Sequence, residues 1–500
     1  MSFKKNAITH LHVALISAIL LCTGCDSESS DDSDTGYVQF YHGSTNAPAI
    51  YLTIDEDLDD DDDDEVEVTY TAVEYGVATS AKSLGDTDYF YELAWQDEDS
   101  DDRDDLEVIT EGQISIEEDE IKFIVLSDDV TAPKTQVYNI EVIDDDNDDD
   151  EDLFNFRVLN LHPISSGIDI YISKSDETFN EASLIGQYSL DELSDNQKLE
   201  QDQYIFYITA TGSETVLFQS DEIDYAYSSQ YVMVVRQNTS TSASTFALDR
   251  VSTSRTIEYL DTNSPTQLRV YNAIVEHDLL ENYTSQIDVY LNGYDEQAEI
   301  DGLVTGDMSQ TLTQEKGDYS VDLTISSSEE RILKNHLLTL PVGANKTVFF
   351  YLKEDNVDHD NDGDVDEDGD GLVDEIEISI NSLVINNNES DSLYDHNIAL
   401  VNLVDHDDFN TIKFYFVRSD ETIESATNSL SVSYAASNSL NLLNNTYQVY
   451  AVAKQESSDV ILSSFELILD ESSTEQFVII ETDDESPTGF SIELINQNED

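Results

Sequence analysis

The feature that most constrains this chain is a fourfold recurrence of short strands in one order. Each block opens with an apolar stretch ending in His or Asn: YVQFYH to His42, FNFRVLN to Asn160, QLRVYN to Asn272 and NIALVN to Asn402. A polar loop leads to a strand of alternating pattern: AIYLTID, IDIYISKSDET, IDVYLNGYDE or IKFYFVRSDET. Then come YFYELAW, QYIFYITA, DYSVDLTI and TYQVYAVA. A second apolar run follows (IKFIVLS, QYVMVVR, KTVFFYL, EQFVIIE), and a closing strand ends the block (QVYNIEV, STFALDRV, IEISINSLVI, GFSIELI). In IDVYLNG, Ile287, Val289 and Leu291 share one face by the period of two, while Asp288, Tyr290 and Asn292 share the other. No helical period is sustained over a helix-length window. Short strands with polar turns, recurring over roughly 100–120 residues, read as sandwiches of about seven strands. The expected fold is all-β, with four tandem immunoglobulin-like antiparallel β-sandwich domains at 37–143, 154–260, 266–387 and 396–496. An acidic linker at 144–153 separates the first two.

The chain carries 21 Lys+Arg against 109 Asp+Glu, a formal charge of −88. Nucleic-acid binding needs clustered cations that displace phosphate counterions, so no nucleic-acid partner is expected. An anionic membrane surface repels the body for the same reason. The charge draws divalent cations and favours solubility. It also destabilises the fold unless salt or bound metal screens it. The two cysteines are Cys22 and Cys25, so the body is expected to have no disulfide framework.

MSFKKNAITHLHVALISAILLCTGC places Lys4 and Lys5 before an apolar core from Val13 to Leu21. That core is too short to span about 30 Å of hydrocarbon as a helix and reads as a secretory signal. Thr23 and Gly24 then precede Cys25, which resembles the bacterial lipoprotein box, with Cys22 where leucine is usual. The resemblance implies a signal peptide at 1–24 and lipidation of Cys25. Two or more acyl chains give stable anchoring. Residues 25–36 are polar and charged and read as a disordered tether. Asp26 after the cysteine resembles an inner-membrane retention signal of enteric bacteria. The expected location is the cell envelope, either the outer membrane and cell surface or the periplasmic face of the inner membrane.

YVQFYHGSTNAPAIYLTID resembles the opening of the bacterial domain of unknown function 4397 family, through His42, Gly43, Ser44, Ala47 and Pro48. YTAVEYGVATS is similar to the family's middle segment. The resemblance implies an immunoglobulin-like sandwich in a secreted or lipid-anchored protein, and it implies no catalytic residues.

Bulk acid fills 55–67, 97–105 and 144–152, whose runs lack a turn glycine and read as extended loops. One acidic run is spaced differently. DEDGDGLVDEIE, between the last two strands of the third block, fits the calcium loop D-x-D-x-D-G-x5-E. Asp366, Asp368 and Asp370 take positions one, three and five, and Gly371 makes the sharp turn. The carbonyl of Leu372 is the seventh-position ligand, Asp374 acts at nine through water, and Glu377 closes the set at twelve. Calcium suits such a set because it takes six to eight hard oxygens at about 2.4 Å. A second register uses Asp358, Asp360, Asp362 and Asp366 and lacks the closing carboxylate. The whole run, 358–377, resembles the aspartate-rich calcium repeats of thrombospondin type 3. Calcium is therefore the expected cofactor.

The nine histidines form no H-E-x-x-H set, and no G-x-S-x-G elbow or phosphate loop is present. Trp95 reads as core packing rather than a sugar platform. No enzyme is expected. The leading expectation is a lipid-anchored, non-enzymatic binding or adhesion module with a calcium-stabilised loop, acting on a polysaccharide or protein partner. The alternatives are a structural spacer or stalk and, third, a carbohydrate-active enzyme.

Overall fold

A computed structural model describes residues 35–56, 68–97, 106–143, 152–164, 167–239, 244–294, 297–358, 365, 373, 375–406, 408–455, 458–483 and 485–498. The first block contributes β1 (Thr35–Gly43), β2 (Tyr51–Asp55), β3 (Val68–Thr69), β4 (Lys82–Gly85), β5 (Asp88–Trp95), β6 (Glu107–Ser115), β7 (Glu120–Ser127) and β8 (Lys134–Glu141). They form two four-stranded sheets, β4-β1-β7-β8 and β3-β2-β5-β6. The third and fourth blocks repeat this order, and the second does so with two edge strands each split in two (Glu192–Leu193 with Gln197–Glu200, and Val216–Gln219 with Ile223–Asp224) and with Thr256–Tyr259 added at one edge. The fold is thus four β-sandwiches, three of eight strands and one of eleven among the described residues, where about seven were expected. The difference lies in short or exposed edge strands such as β3, β4 and β6. β1 begins at Thr35, so the last two residues assigned to the tether belong to the sheet.

β1 and β7 run parallel, as do their counterparts in every block. The counterparts are Leu153–Asn160 with Gln230–Gln237, Thr266–Ala273 with Asn345–Asn356, and Asp395–Asn402 with Gln476–Thr482. The other strand neighbours are antiparallel. Strands buried on both faces read as unbroken apolar runs rather than alternating ones, and the β7 strands are of this kind. Ile124 and Leu126 point into the first sandwich's own core, whereas Ile121, Phe123 and Val125 point outward. Those outward residues meet Leu159, Val232, Val234 and Val251 of the second sandwich. The third and fourth blocks pair in the same way, with Tyr271, Phe349 and Tyr351 against Val401, Phe477 and Ile479. The chain therefore builds two back-to-back pairs of sandwiches. Each large side chain buried in this way stabilises by about 1.5–3 kcal/mol.

The His or Asn that ends each first strand is fully buried. Asn160 Nδ2 donates to the Tyr188 carbonyl (3.2 Å), and its Oδ1 accepts the His162 N–H (3.0 Å). Asn272 repeats this with Leu303 (2.9 Å) and Ile274 (3.1 Å), and Asn402 with Val432 (3.1 Å) and Val404 (3.0 Å). Tyr188, Leu303 and Val432 belong to third strands, Ser183–Tyr188, Ile300–Val304 and Asn428–Ser433. One amide thus ties the end of the first strand to the facing sheet and closes the turn between them. His42 closes its turn with its ring but reaches the loop before β2 rather than the third strand: Nδ1 accepts from Ser44 N–H (3.3 Å), and Nε2 donates to the Pro48 carbonyl (3.0 Å). Burial lowers its pKa to about 4, so the ring stays neutral.

The two pairs also touch each other. Leu393 and Tyr394, which lead into the fourth block, pack on the core of the first. The Leu393 N–H donates to the Asn46 carbonyl at 3.1 Å, and the Tyr394 ring stacks on Trp95 at 4.7 Å and 11°. Trp95 is half-buried at this junction, where packing had been expected of it.

Substitution and pH should both read out this packing. Phe349→Ala should cost about 3–5 kcal/mol in denaturant unfolding, against less than about 0.5 kcal/mol for Leu337→Ala, because Leu337 is 69% exposed. His42→Asn should be tolerated, because Asn fills the site elsewhere. His42→Ala should cost about 2–3 kcal/mol by leaving two buried groups unpaired. Between pH 6.5 and about 4 the unfolded chain takes up the imidazole proton first, so the native protein should lose stability relative to His42→Asn as pH falls through that window.

Candidate functional site

Two regions gather polar side chains where a partner has access. The first is a cleft of about 300 Å³ between the first and fourth sandwiches. Tyr51 at the start of β2 and Gln96 just past β5 arrive together because Tyr51 pairs with Ala94 across the sheet. The Tyr51 hydroxyl donates to Gln96 Oε1 at 3.4 Å. Glu74 and Asp97 complete that wall, and Asp395, Arg418, Asn428 and Asn441 form the other. The Arg418 guanidinium lies 3.3 Å from Glu421. Glu421 also accepts from the Thr427 N–H (3.1 Å) and hydroxyl (2.8 Å), which fixes the arginine's support. Burial, and then Asp395 across the cleft, push the Glu74 carboxyl up. Burial also raises Asp395, whose carboxylate accepts from Ser392 and, at 3.4 Å, from Asn441. The arrangement offers carboxylate acceptors on both walls, with amides and a tyrosine ring between them.

Within reach of the field of Asp395, Glu475 is buried and accepts the Asn397 N–H. Burial, with Asp395 and Asp391 adding to it, pushes the Glu475 carboxyl up to about 8. A second buried carboxyl lies in the interface of the third and fourth sandwiches, where Tyr271 donates to Glu481 at 2.9 Å. Burial lifts Glu481 to about 7, and Glu493 and Asp483 reinforce the rise. The matching interface of the first two sandwiches is built differently. There Tyr41 donates to Asp249 at 2.6 Å, and Asp249 also receives Arg236 Nε at 2.6 Å. The guanidinium lies over the Tyr75 ring, 4.6 Å from its centre.

The second region is the hairpin formed by Asn345–Asn356 and Ile376–Asn386. Its strands are 12 and 11 residues long, against 8 and 8 for β7 and β8. The aspartate-rich run lies in sequence between these two longer strands. Asp355 pairs with Glu377, and the Val357 N–H donates to the Glu375 carbonyl at 3.0 Å, so Asp358 and Glu377 stand near the loop's two ends. Asp360, Asp362, Asp366, Asp368, Asp370, Leu372 and Asp374 lie outside the described residues, as do Cys25, nearly all of the first two bulk acidic runs and 144–151 of the third. Among the described residues no group of three or more His, Cys, Asp or Glu is arranged to hold a metal. His277, in the neighbouring loop, approaches Glu354 of the hairpin at 3.4 Å.

The loop histidines share one task. Nδ1 of His162 accepts the Ile164 N–H (3.3 Å), that of His277 the Leu279 N–H (3.0 Å), and that of His406 the Asp408 N–H (3.1 Å). Their offsets in sequence hid this common turn-closing role. The cleft residues carried no local signal, because they come from separate segments that only the packing of the first block on the fourth brings together.

No family model matches the chain, and no curated protein matches it. Solved structures similar to it include the TIE protein of Bacillus anthracis, at 7% identity over 91% of this chain and 75% of that one, with a TM-score of 0.14. The fimbrial anchor protein Mfa2 from Porphyromonas gingivalis matches at 12% identity over 47% of this chain and 99% of its own, with a TM-score of 0.17. A leucine-rich repeat protein from Bacteroides thetaiotaomicron matches at 15% identity over 41% and 26%, with a TM-score of 0.12. Scores at this level transfer no function to this chain. Among the described residues no helix is long and apolar enough to cross a membrane.

The buried carboxyl in the second interface makes a pH-dependent prediction. Between pH 4.5 and about 7 the folded chain holds the Glu481 proton and the unfolded chain does not, so this group's contribution to stability falls as pH rises. Glu481→Gln keeps an acceptor for Tyr271. It should stabilise the protein by on the order of 2 kcal/mol at pH 8 and by little at pH 4.5, read as the difference in denaturant midpoint from the native chain.

Proposed function

We propose that the protein is a lipid-anchored, non-enzymatic binding or adhesion module of the cell envelope, with calcium stiffening the hairpin of its third sandwich. The observation that carries the reading is the fold-back of the chain. The fourth block reaches the first, and the contact creates a polar cleft from residues far apart in sequence. A spacer that holds cargo away from a membrane gains nothing from such a return, and a linear run of sandwiches spans more distance. Clefts between domains are favoured places for ligands. Tyrosine, amide and carboxylate side chains suit a polyhydroxylated partner such as an envelope polysaccharide.

Cys25 supplies the anchor through its thiol, and the acyl chains hold the acidic body near a surface that would otherwise repel it. The resemblance of the opening segment to the domain of unknown function 4397 family supports a secreted, lipid-anchored setting. The donor set at 358–377 is carboxylates and a carbonyl, the hard oxygens that calcium takes. When bound, the ion neutralises carboxylates that otherwise repel one another across one loop. Asp366, Asp368, Asp370, Leu372, Asp374 and Glu377 would hold it, and Asp358, Asp360 and Asp362 would serve a second ion with Asp366.

The test is binding of the purified chain to an array of envelope polysaccharides, with calcium and with chelator. Retention on at least one glycan is expected, with a loss of tenfold or more in Tyr51→Ala or Asn441→Ala. Retention on no glycan would favour the spacer. In parallel, calorimetric titration should show calcium heat that Asp370→Asn removes, and an absence of heat in the native chain would refute the metal assignment.

A further inference from the structure

Lys122 is a buried lysine, only 5% exposed, in a chain with few cations. It lies on β7 two residues after Glu120, so the two side chains share the face directed toward the first sandwich's own core. The Glu120 carboxylate accepts directly from Nζ. Asn139 on β8 is directly opposite Lys122 in the register, and Nζ donates to its Oδ1 at 3.2 Å. An amine, a carboxamide and a carboxylate are thus held together by two adjacent strands. The carbonyl carbon of the amide is one bond beyond the oxygen that Nζ already touches.

We propose that Lys122 and Asn139 form an intramolecular isopeptide bond, with Glu120 as the proton shuttle. Glu120 takes a proton from the lysine ammonium, and the freed Nζ attacks Cγ of Asn139. The hydrogen bond to Oδ1 has already brought the two groups together, so the step gains from proximity as intramolecular reactions do. Glu120 returns its proton as the tetrahedral adduct collapses. The Nζ–Cγ bond forms and the Cγ–Nδ2 bond breaks. The nitrogen leaves as ammonium, carrying away the proton that the lysine brought. No atom changes oxidation state, and no co-reactant is needed. Asn139 is on the exposed edge strand, which gives the leaving group a path to solvent.

The repeats supply an internal comparison. Counting along the parallel first and seventh strands, Lys346 of the third block matches Lys122, and it pairs with Asn386 as Lys122 pairs with Asn139. Ala344 stands where Glu120 would be. In the fourth block Gln476 faces Asn496 and has no amine to offer. Only the first block carries all three groups, so one bond is assigned and not two. The bond braces an edge strand in a body that has no cysteine for a disulfide, since Cys22 and Cys25 both precede it.

Peptide mapping of the denatured full chain decides the matter. Trypsin should leave 104–134 uncut at Lys122 and joined to 135–157, about 17 Da below the sum of the two, which is the mass of ammonia lost. Glu120→Gln and Asn139→Ala should each restore cleavage at Lys122 and the unlinked masses, while Lys346 remains cleavable in every variant. A native chain cut at Lys122, with 135–157 free, would overturn the proposal whether or not the variants fold. Linkage that persists in Glu120→Gln would overturn the role of the carboxylate.

Discussion

The structure depends on a sheet that is covered on both sides. In each block the parallel first and seventh strands face their own core on one side and a neighbouring sandwich on the other. This burial fixes the pairing of first with second and third with fourth, and it fixes the register, because sliding a strand by one residue would exchange its two apolar faces between different surroundings. Polar links can then be placed with confidence inside the interfaces. Tyr41 reaches Asp249 across one interface and Tyr271 reaches Glu481 across the other. The first link is balanced by Arg236. The second leaves a carboxyl that burial keeps protonated up to near neutrality. The same architecture thus carries two different electrostatic solutions.

Much of this was legible in the residues. The recurrence of strands ending in His or Asn located all four first strands, and the alternating stretches located the second and fifth. The β7 runs read as apolar, but their two-sided burial is not legible in the residues alone: FVII and VMVV have no polar face because neither face meets water. The edge strands were invisible for the opposite reason. KSLG and EVITEGQIS are largely exposed, and solvent exposure removes the pattern that burial imposes. The turn role of His42, Asn160, Asn272 and Asn402 was written in their shared position, yet only the hydrogen bonds show what each side chain ties together.

The cleft stands apart from these. Tyr51, Glu74, Asp395 and Asn441 become neighbours only after two pairs of sandwiches have folded and met. No window of sequence contains that event. The aspartate-rich run is the reverse case. Its spacing speaks directly of chemistry, and the structure adds its setting, at the end of a hairpin longer than its counterparts.

Parallel pairing within one module has a kinetic consequence. Val38 lies beside Lys122, so the opening strand of the first sandwich waits for a partner more than eighty residues downstream. Contacts this distant in sequence are slow to form, because chain entropy is lost before they reward it. A chain emerging amino terminus first would hold one edge of each opening strand unpaired until its module was almost complete, although its other edge meets the fourth strand earlier. During that wait a charge of −88 would keep separate nascent chains apart. The acidity that weakens the finished fold would then be what carries it safely through assembly.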